Sequence, residues 1–348
     1  MKVLFVGLGG IGQRHLRNLR TLRGDAVEVL AYRVRGNQVV LTDSLGVESE
    51  AGLESKYGVR VFHNLDAALA EHPKIAFICN PSSLHVETAL ACARARCDLF
   101  LEKPLADRLD GLSELLELMC EHRLVGYVGY QLRFHPCFQQ LERWLAQGQL
   151  GRILAVRAEV GEYLPGWHPY EDYRQMYASR RALGGGVILS QIHELDYLIA
   201  LFGRPRSVFA LGGQLSSLEI DVEDVASILM EGVDSLGHVF PIHLHQDYVQ
   251  RPPTRTCRVV GDSGRIDIDF RALTATRWDA LGAEAEMVRF ASLERNELFL
   301  DEMRHFLACV ERTKTPLVSV ADGAESLRVA LAAHESLATR SIVRLLPA

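Results

Sequence analysis

The sequence lacks any C-x-x-C pair, any apolar run long enough to cross a bilayer, any internal repeat and any low-complexity linker. Its seven cysteines, at 79, 92, 97, 120, 137, 257 and 309, are odd in number and scattered. That excludes the disulfide framework of a small secreted domain and the clustered thiols of a structural zinc or redox motif. An excess of basic charge is also absent. With 38 Lys and Arg against 44 Asp and Glu, the net charge is −6, and such a field repels phosphate backbones rather than gathering them. Neither nucleic acid nor a membrane is expected as a partner. The first residues, MKVLFVGLGG, meet glycine before a leader-like apolar region can form. No secretory signal is expected, and the chain is expected in the cytoplasm.

What the sequence does have is length and a globular balance. Its 348 residues, 48% hydrophobic and 24% charged, are too many for one ordinary core, so two domains are expected. Up to about residue 130, short β-rich runs alternate with amphipathic stretches. The runs are KVLFVG (2–7), VEVLAYR (27–33), IAFICN (75–80), DLFLEK (98–103) and VGYVGY (125–130). Nearly continuous apolar strands between helices imply a parallel sheet covered on both faces. Beyond about 150 the strand-like stretches lengthen and several alternate with period two, as in ILAVRAEVGEYL (153–164) and HVFPIHLHQDYV (238–249). That is the pattern of antiparallel hairpins. The expected fold is α/β: an N-terminal Rossmann-type doubly wound parallel sheet over 1–124, plus a C-terminal α+β domain over 125–348 with a large, mainly antiparallel open sheet. One apolar stripe, Ile188, Ile192, Leu195, Ile199 and Phe202, predicts a single helix against that second sheet. An open sheet of this size needs its outer face covered, so self-association into a homodimer or homotetramer is expected.

Gly7, Gly9 and Gly12 stand in G-x-G-x-x-G register between the first strand and the first helix. Gly7 permits the tight turn, Gly9 lets the backbone approach a pyrophosphate, and Gly12 lets helix and strand pack closely. With Gly10 and Ile11 they open a helix whose unpaired N–H groups face the anion. The ligand expected is NAD(P). An NAD site carries a carboxylate at the end of the second strand for the ribose hydroxyls, but this strand ends AYRVR. Arg33 and Arg35 are placed to meet a 2′-phosphate, so the sequence leans toward NADP. The competing reading leaves both arginines in solvent or stacked on the adenine.

In a doubly wound sheet, ligands bind outside the carboxyl ends of the strands. Lys103 follows one strand, and Asn80, Pro81 and His85 follow another. All four therefore point to the cofactor crevice, where Glu102 and Gln131 complete the candidate set. A lysine there can stabilise an alkoxide as hydride leaves the adjacent carbon. A surface lysine at a strand end is the bland alternative.

The glycine turn, NPSSLH (80–85), EKP (102–104), GYQLRFHP (129–136) and GGGVILSQIHELDYL (184–198) occur in one order. Together they resemble the Gfo/Idh/MocA oxidoreductase family, over essentially the whole chain. The resemblance implies a nucleotide-binding domain followed by an open-sheet domain. It also implies hydride transfer between nicotinamide and a secondary alcohol or ketone of a sugar or nucleotide sugar. Lys103 then corresponds to the EKP lysine and His193 to the catalytic histidine, and Pro104 is expected to follow a cis peptide. A cyclitol or dihydrodiol dehydrogenase is the runner-up. A non-catalytic dinucleotide-binding sensor would keep the glycines but need neither Lys103 nor His193. Family members often place an aspartate four residues before the histidine, where this chain has Leu189, or Ser190 if aligned from the glycines. Asp196, three residues after His193, is the nearest local carboxylate to orient the imidazole.

Three further groups bear on the substrate. Tyr163, Trp167 and His168, with Tyr170 and Tyr173, suit a sugar ring or a base, and loop packing explains them equally well. Arg133 could clamp a carboxylate or diphosphate, as could Arg180 or Arg181, for which a solvent-exposed pairing role is simpler. His243 and His245 share one face of a strand, but no third ligand is evident nearby and no metal is expected.

Overall fold

The computed structural model describes residues 1–34, 39–42, 46–48, 52–168 and 170–345; Arg35 lies outside them. The early apolar runs become β1 (Lys2–Val6), β2 (Glu28–Tyr32), a short ribbon of β3 (Val40–Leu41) and β4 (Val47–Glu48), β5 (Val59–Phe62), β6 (Ile75–Ile78), β7 (Asp98–Glu102) and β8 (Gly126–Gly129). Between them run α1 (Gly10–Arg23), α2 (Leu53–Tyr57), α3 (Leu65–Leu69), α4 (His85–Arg94) and α5 (Leu112–His122). Apart from the ribbon, the strands form one sheet in the order β5-β2-β1-β6-β7-β8, every pair parallel. Both faces are covered, which is why successive residues such as Val3, Leu4 and Phe5 are all buried instead of alternating. The strand order reverses between β1 and β6, and there the crevice opens.

The second half contributes α6 (Pro136–Ala146), β9 (Ile153–Gly161), α7 (Val187–Ser190), α8 (His193–Phe202), β10 (Ser207–Gly213), β11 (Val225–Val233), β12 (Val239–Asp247), β13 (Thr254–Gly261), β14 (Gly264–Asp269), β15 (Thr274–Asp279), β16 (Glu284–Arg289), α9 (Arg295–Val310), α10 (Val320–Thr339) and β17 (Val343–Arg344). Nine of these strands form a sheet in the order β16-β15-β14-β13-β9-β12-β11-β10-β17. All its pairs are antiparallel except β9 with β12. Alternation sorts its two faces: Ala226, Ile228 and Met230 of β11 enter the core, while Leu229 between them is exposed. A Ser319/Asp322 capping box starts α10, which packs on β10 and α8.

Two expectations need correction. The division at 124/125 cuts off β8, which pairs with β7 as the sixth strand of the parallel sheet. Moreover, α9 returns to that sheet, where Met303, Phe306 and Leu307 join Phe5, Phe77, Phe100 and Tyr127 in one core. A parallel sheet must be covered on both faces, and part of this cover comes from the far end of the chain. Asn296 fixes the docking by accepting from Arg14 at 2.9 Å and donating to Asn18 at 2.9 Å. The second correction concerns the stripe 188–202, which is two helices broken at Gln191–Ile192. The carbonyls of Ser190 and Gln191 are taken by the side chains of Lys103 and Gln246, so they are not free to continue a helix.

Within α9, Glu302 is fully buried, and neither carboxylate oxygen has a hydrogen-bond partner among the described residues. Burial pushes its carboxyl well above the ordinary value, and the nearby charges of Glu102 and Asp196 push it the same way. The folded protein thus keeps a proton that the unfolded chain releases above its own carboxyl pKa. Stability therefore falls as pH rises through that window, by up to about 1.4 kcal/mol per pH unit. Glu302→Gln, which mimics the protonated form, should raise the melting temperature more at about pH 8 than at about pH 5. Equal shifts at the two pH values would show that Glu302 is ionised in the fold.

Candidate active site

The glycine turn is shaped for an anion. Gly7 has φ +88°, and a Cβ on it would lie 2.8 Å from the carbonyl oxygen of Cys79. A Cβ on Gly12 would lie 2.3 Å from the carbonyl oxygen of Gly7, so helix and strand pack too closely for any side chain. Gly9, in contrast, has no atom within 4 Å of its added Cβ. That open space lies at the N-cap of α1, which has no side-chain cap among the described residues, so the first N–H groups stay available. Tight Gly7 and Gly12 with open Gly9 fit the pyrophosphate of a dinucleotide.

From the neighbouring end of β7, Lys103 crosses to the second half of the chain. Its Nζ donates to the carbonyl of Ser190 at 2.9 Å and stands 3.5 Å from the Tyr177 hydroxyl. The Lys103–Pro104 peptide is cis, as expected. Three residues after Ser190, His193 opens α8, 5% exposed, with Nδ1 buried and unpartnered. Burial holds its pKa well below the usual histidine value, and the cations of Lys103, Arg255 and Arg295 lower it further. The imidazole is neutral at physiological pH, and a neutral imidazole beside an ammonium is a proton acceptor next to an oxyanion holder. Among the described residues no carboxylate meets Lys103 in place of the aspartate missing at Leu189 and Ser190; a main-chain carbonyl does so instead.

Several expected residues are spent elsewhere. Both carboxylate oxygens of Asp196 go to Arg133, at 2.6 and 3.1 Å, in a buried ion pair. Burial pushes the Asp196 carboxyl up and the guanidinium draws it back. Asp196 is therefore turned away from the imidazole, and Arg133 is neutralised rather than free to clamp a substrate. Glu102 is 7% exposed, with one oxygen 2.5 Å from His15 Nε2 and the other accepting the Lys103 N–H at 3.1 Å. His85 is 1% exposed and stands between the carbonyls of Asn80 and Pro104, at 2.8 and 2.9 Å, locking two strand-end turns together. The side chains of both Glu102 and His85 are engaged within the crevice walls.

The remaining positions stay near the crevice. Asn80 donates to Thr88 while its Oδ1 is buried and unpartnered; Pro81 and Gln131 follow β6 and β8 and are partly exposed. Arg33 follows β2, with its guanidinium 3.9 Å from Glu54. The aromatic loop divides. Tyr163 lies under Arg251, whose guanidinium is 4.0 Å from the ring centroid. Trp167 packs edge-on against the buried Tyr248 at 5.3 Å. His168 stacks on Tyr170 at 5.3 Å, and the Tyr170 hydroxyl lies against Gly10. His168 therefore sits toward the cofactor turn rather than the histidine. Arg181 bonds Asp221, and Arg180 stands 3.9 Å from the same carboxylate. His245 sits between Ser227 and Asp247.

Sequence reasoning missed His15, Tyr177, Glu194, Arg255 and Arg295. His15, three residues after Gly12, is the one with a local signal, since that spacing returns it to the strand side of α1. Glu194 is fully buried and paired with Arg255 at 2.9 Å across from β13, a partnership that only the sheet creates.

A glycine turn at a topological switch point, facing a lysine and a neutral histidine from opposite halves, defines a two-domain pyridine-nucleotide oxidoreductase. Residues 1–130 match the oxidoreductase family with NAD-binding Rossmann fold, and residues 138–267 match the Gfo/Idh/MocA C-terminal domain. The chain belongs to the Gfo/Idh/MocA family. It is 28% identical to myo-inositol 2-dehydrogenase of Thermotoga maritima, over 99% of this chain and 98% of that protein. It is 24% identical to scyllo-inositol 2-dehydrogenase (NAD(+)) of Bacillus subtilis, over 95% and 92%. Its fold matches the WlbA dehydrogenase from Bordetella pertussis, solved with NADH and UDP-GlcNAcA, with TM-score 0.79 at 21% identity, covering 100% and 99% of the two chains.

The Arg133–Asp196 pair separates a structural from a chemical role. Asp196→Asn leaves a buried guanidinium against a neutral amide and should cost roughly 3–5 kcal/mol in urea unfolding. The Arg133→Met/Asp196→Leu double variant should recover most of that loss. A fall in kcat with an unchanged unfolding midpoint would instead give Asp196 a part in the reaction.

Proposed function

We propose that this oxidoreductase transfers a hydride between NAD(P) and a secondary alcohol or ketone of a sugar-like ring. The single observation that carries the reading is the Lys103 ammonium anchored on the Ser190 carbonyl, three residues from a buried neutral His193. When bound, the nicotinamide supplies hydride acceptance or donation. His193 accepts the hydroxyl proton, for which its neutral state is required. Lys103 holds the oxygen as negative charge develops on it. Tyr177, within reach of the same ammonium, limits how Lys103 can turn. A cyclitol is the second reading of the ring, favoured by the nearly full-length likeness to an enzyme named for myo-inositol.

Arg33 at the end of β2, where NAD sites keep a carboxylate, supports NADP over NAD. Seven free cysteines, six of them buried, support a reducing cytoplasm; no described helix is long and apolar enough to cross a membrane. Self-association through the outer face of the nine-stranded sheet is supported by Leu211, Leu229 and Val239, which are 51%, 49% and 57% exposed on neighbouring strands.

Lys103→Met should lower kcat by about a hundredfold or more while NAD(P)H affinity stays within about threefold; comparable turnover would remove the lysine from the reaction. In the same titrations NADP should raise the melting temperature more than NAD, and the reverse order would assign NAD. Alcohol oxidation should show no His193 titration between about pH 6 and 8, because the imidazole is already deprotonated there. For the outer face, a Leu211→Asp/Leu229→Asp variant should sediment as a smaller species than the parent; unchanged sedimentation would move the interface elsewhere.

A further inference from the structure

The charges around His193 do not balance. The register of the nine-stranded sheet brings them together: Asp247 and Thr254 both pair with Gly161, and Arg255 pairs with Val160. One end of the sheet thus gathers Glu162 and Tyr163 after β9, Arg251 after β12 and Arg255 at the start of β13. Arg295, the first residue of α9, is an electrostatic neighbour of Glu162, Arg255 and His193, and Lys103 enters from the other domain.

Only one of these four cations is neutralised at contact distance among the described residues. Arg255 pairs with the buried Glu194. Lys103 has a carbonyl and a hydroxyl but no carboxylate. Arg251 has the face of Tyr163. Arg295 is exposed, with neither hydrogen bond nor ion pair among the described residues. Glu162, also exposed, is a carboxylate whose charge acts on Arg295, and the two form no ion pair among the described residues. Several arginines elsewhere are matched by carboxylates: Arg133 by Asp196, Arg180 by Asp221, Arg174 by Asp172 and Glu219. A chain of net charge −6 has carboxylates to spare. Arg295 also stands at a helix N-terminus, where a cation is electrostatically disfavoured.

We propose that the substrate is an anionic ring polyol, a sugar or cyclitol bearing a carboxylate or a phosphate, whose anion is received by Arg295 and Arg251 while its reacting hydroxyl stands at Lys103 and His193. The inference rests on the dehydrogenase reading and deepens it. Guanidinium forks suit both kinds of oxyanion, and Tyr163 offers the ring a flat apolar face beside Arg251. The site differs from the glycine turn, which binds its anion through main-chain N–H groups and contains no arginine.

The test compares D-glucose, D-glucuronate and glucose 6-phosphate on the wild type, Arg295→Met and Arg251→Met, with NAD(P)H binding measured in parallel. The wild type should prefer one anionic sugar over glucose in kcat/KM, and a preference for glucuronate or for the phosphate identifies which anion is used. Arg295→Met should cut that preference by about ten- to a hundredfold, mainly through KM, with NAD(P)H affinity little changed. A loss of NAD(P)H affinity in Arg295→Met would instead make the cations part of the cofactor site and overturn the proposal. Binding is read independently of turnover, by thermal shift with inorganic phosphate and with glucuronate. Stabilisation of the wild type that Arg295→Met loses supports the anion site even if the dehydrogenase reading fails. No stabilisation by either probe, or equal turnover of neutral and anionic sugars, overturns the anion site and leaves the dehydrogenase reading standing.

Discussion

The contact on which the rest depends is the Lys103 ammonium on the main-chain carbonyl of Ser190. It is one hydrogen bond, but it joins a strand end of the parallel sheet to the turn that launches the histidine helix. Because the carbonyl is used this way, the helix over 187–202 breaks just before His193. The break gives the imidazole the first position of a new helix, beside the lysine. An ammonium held by a carbonyl dipole keeps its full charge, whereas an aspartate would cancel most of it. The missing carboxylate therefore leaves the cleft more electropositive, which adds to the burial that already holds the proton affinity of His193 low.

Around this contact, buried polar pairs fix the elements that carry it. His15 on α1 meets Glu102, whose other oxygen accepts the N–H of Lys103, so the cofactor helix and the lysine turn share one carboxylate. His85 ties the turn after β6 to the turn after Lys103. Arg133 and Asp196 join the segment after β8 to α8. Such pairs add little net stability over apolar packing, but breaking one partner is costly, so each fixes a relative position. Their cost is offset in the aromatic layer of Phe5, Phe77, Phe100, Tyr127 and Phe306, which binds α9 to the first sheet.

The residues that the sequence singled out by type divided according to how their partners are supplied. Lys103 reaches the cleft because it follows a strand end that is visible locally, whereas His193 owes its place at a helix start to a break made by contacts from distant segments. Glu102, His85, Arg133 and Asp196 lie in the same motifs, but the fold engages each with a partner inside the protein. A motif records which residues are present without recording which way a carboxylate turns. Asp196 was expected near His193 from helical spacing alone. The spacing is real, but Arg133 comes from a different segment and takes both oxygens.

What the sequence determined by itself was everything set by short-range geometry. The G-x-G-x-x-G turn, the alternation of apolar runs and helices, the period-two strands and the proline after Lys103 are all constraints acting over a few residues. Only the tertiary structure decided the strand order of the nine-stranded sheet, the return of α9 to the first domain and the gathering of Lys103, Arg255 and Arg295 around His193. These are contacts between segments tens to hundreds of residues apart, chosen by which faces must be buried and which charges find partners. No local pattern encodes that choice, because the energy deciding it exists only once the layers have met.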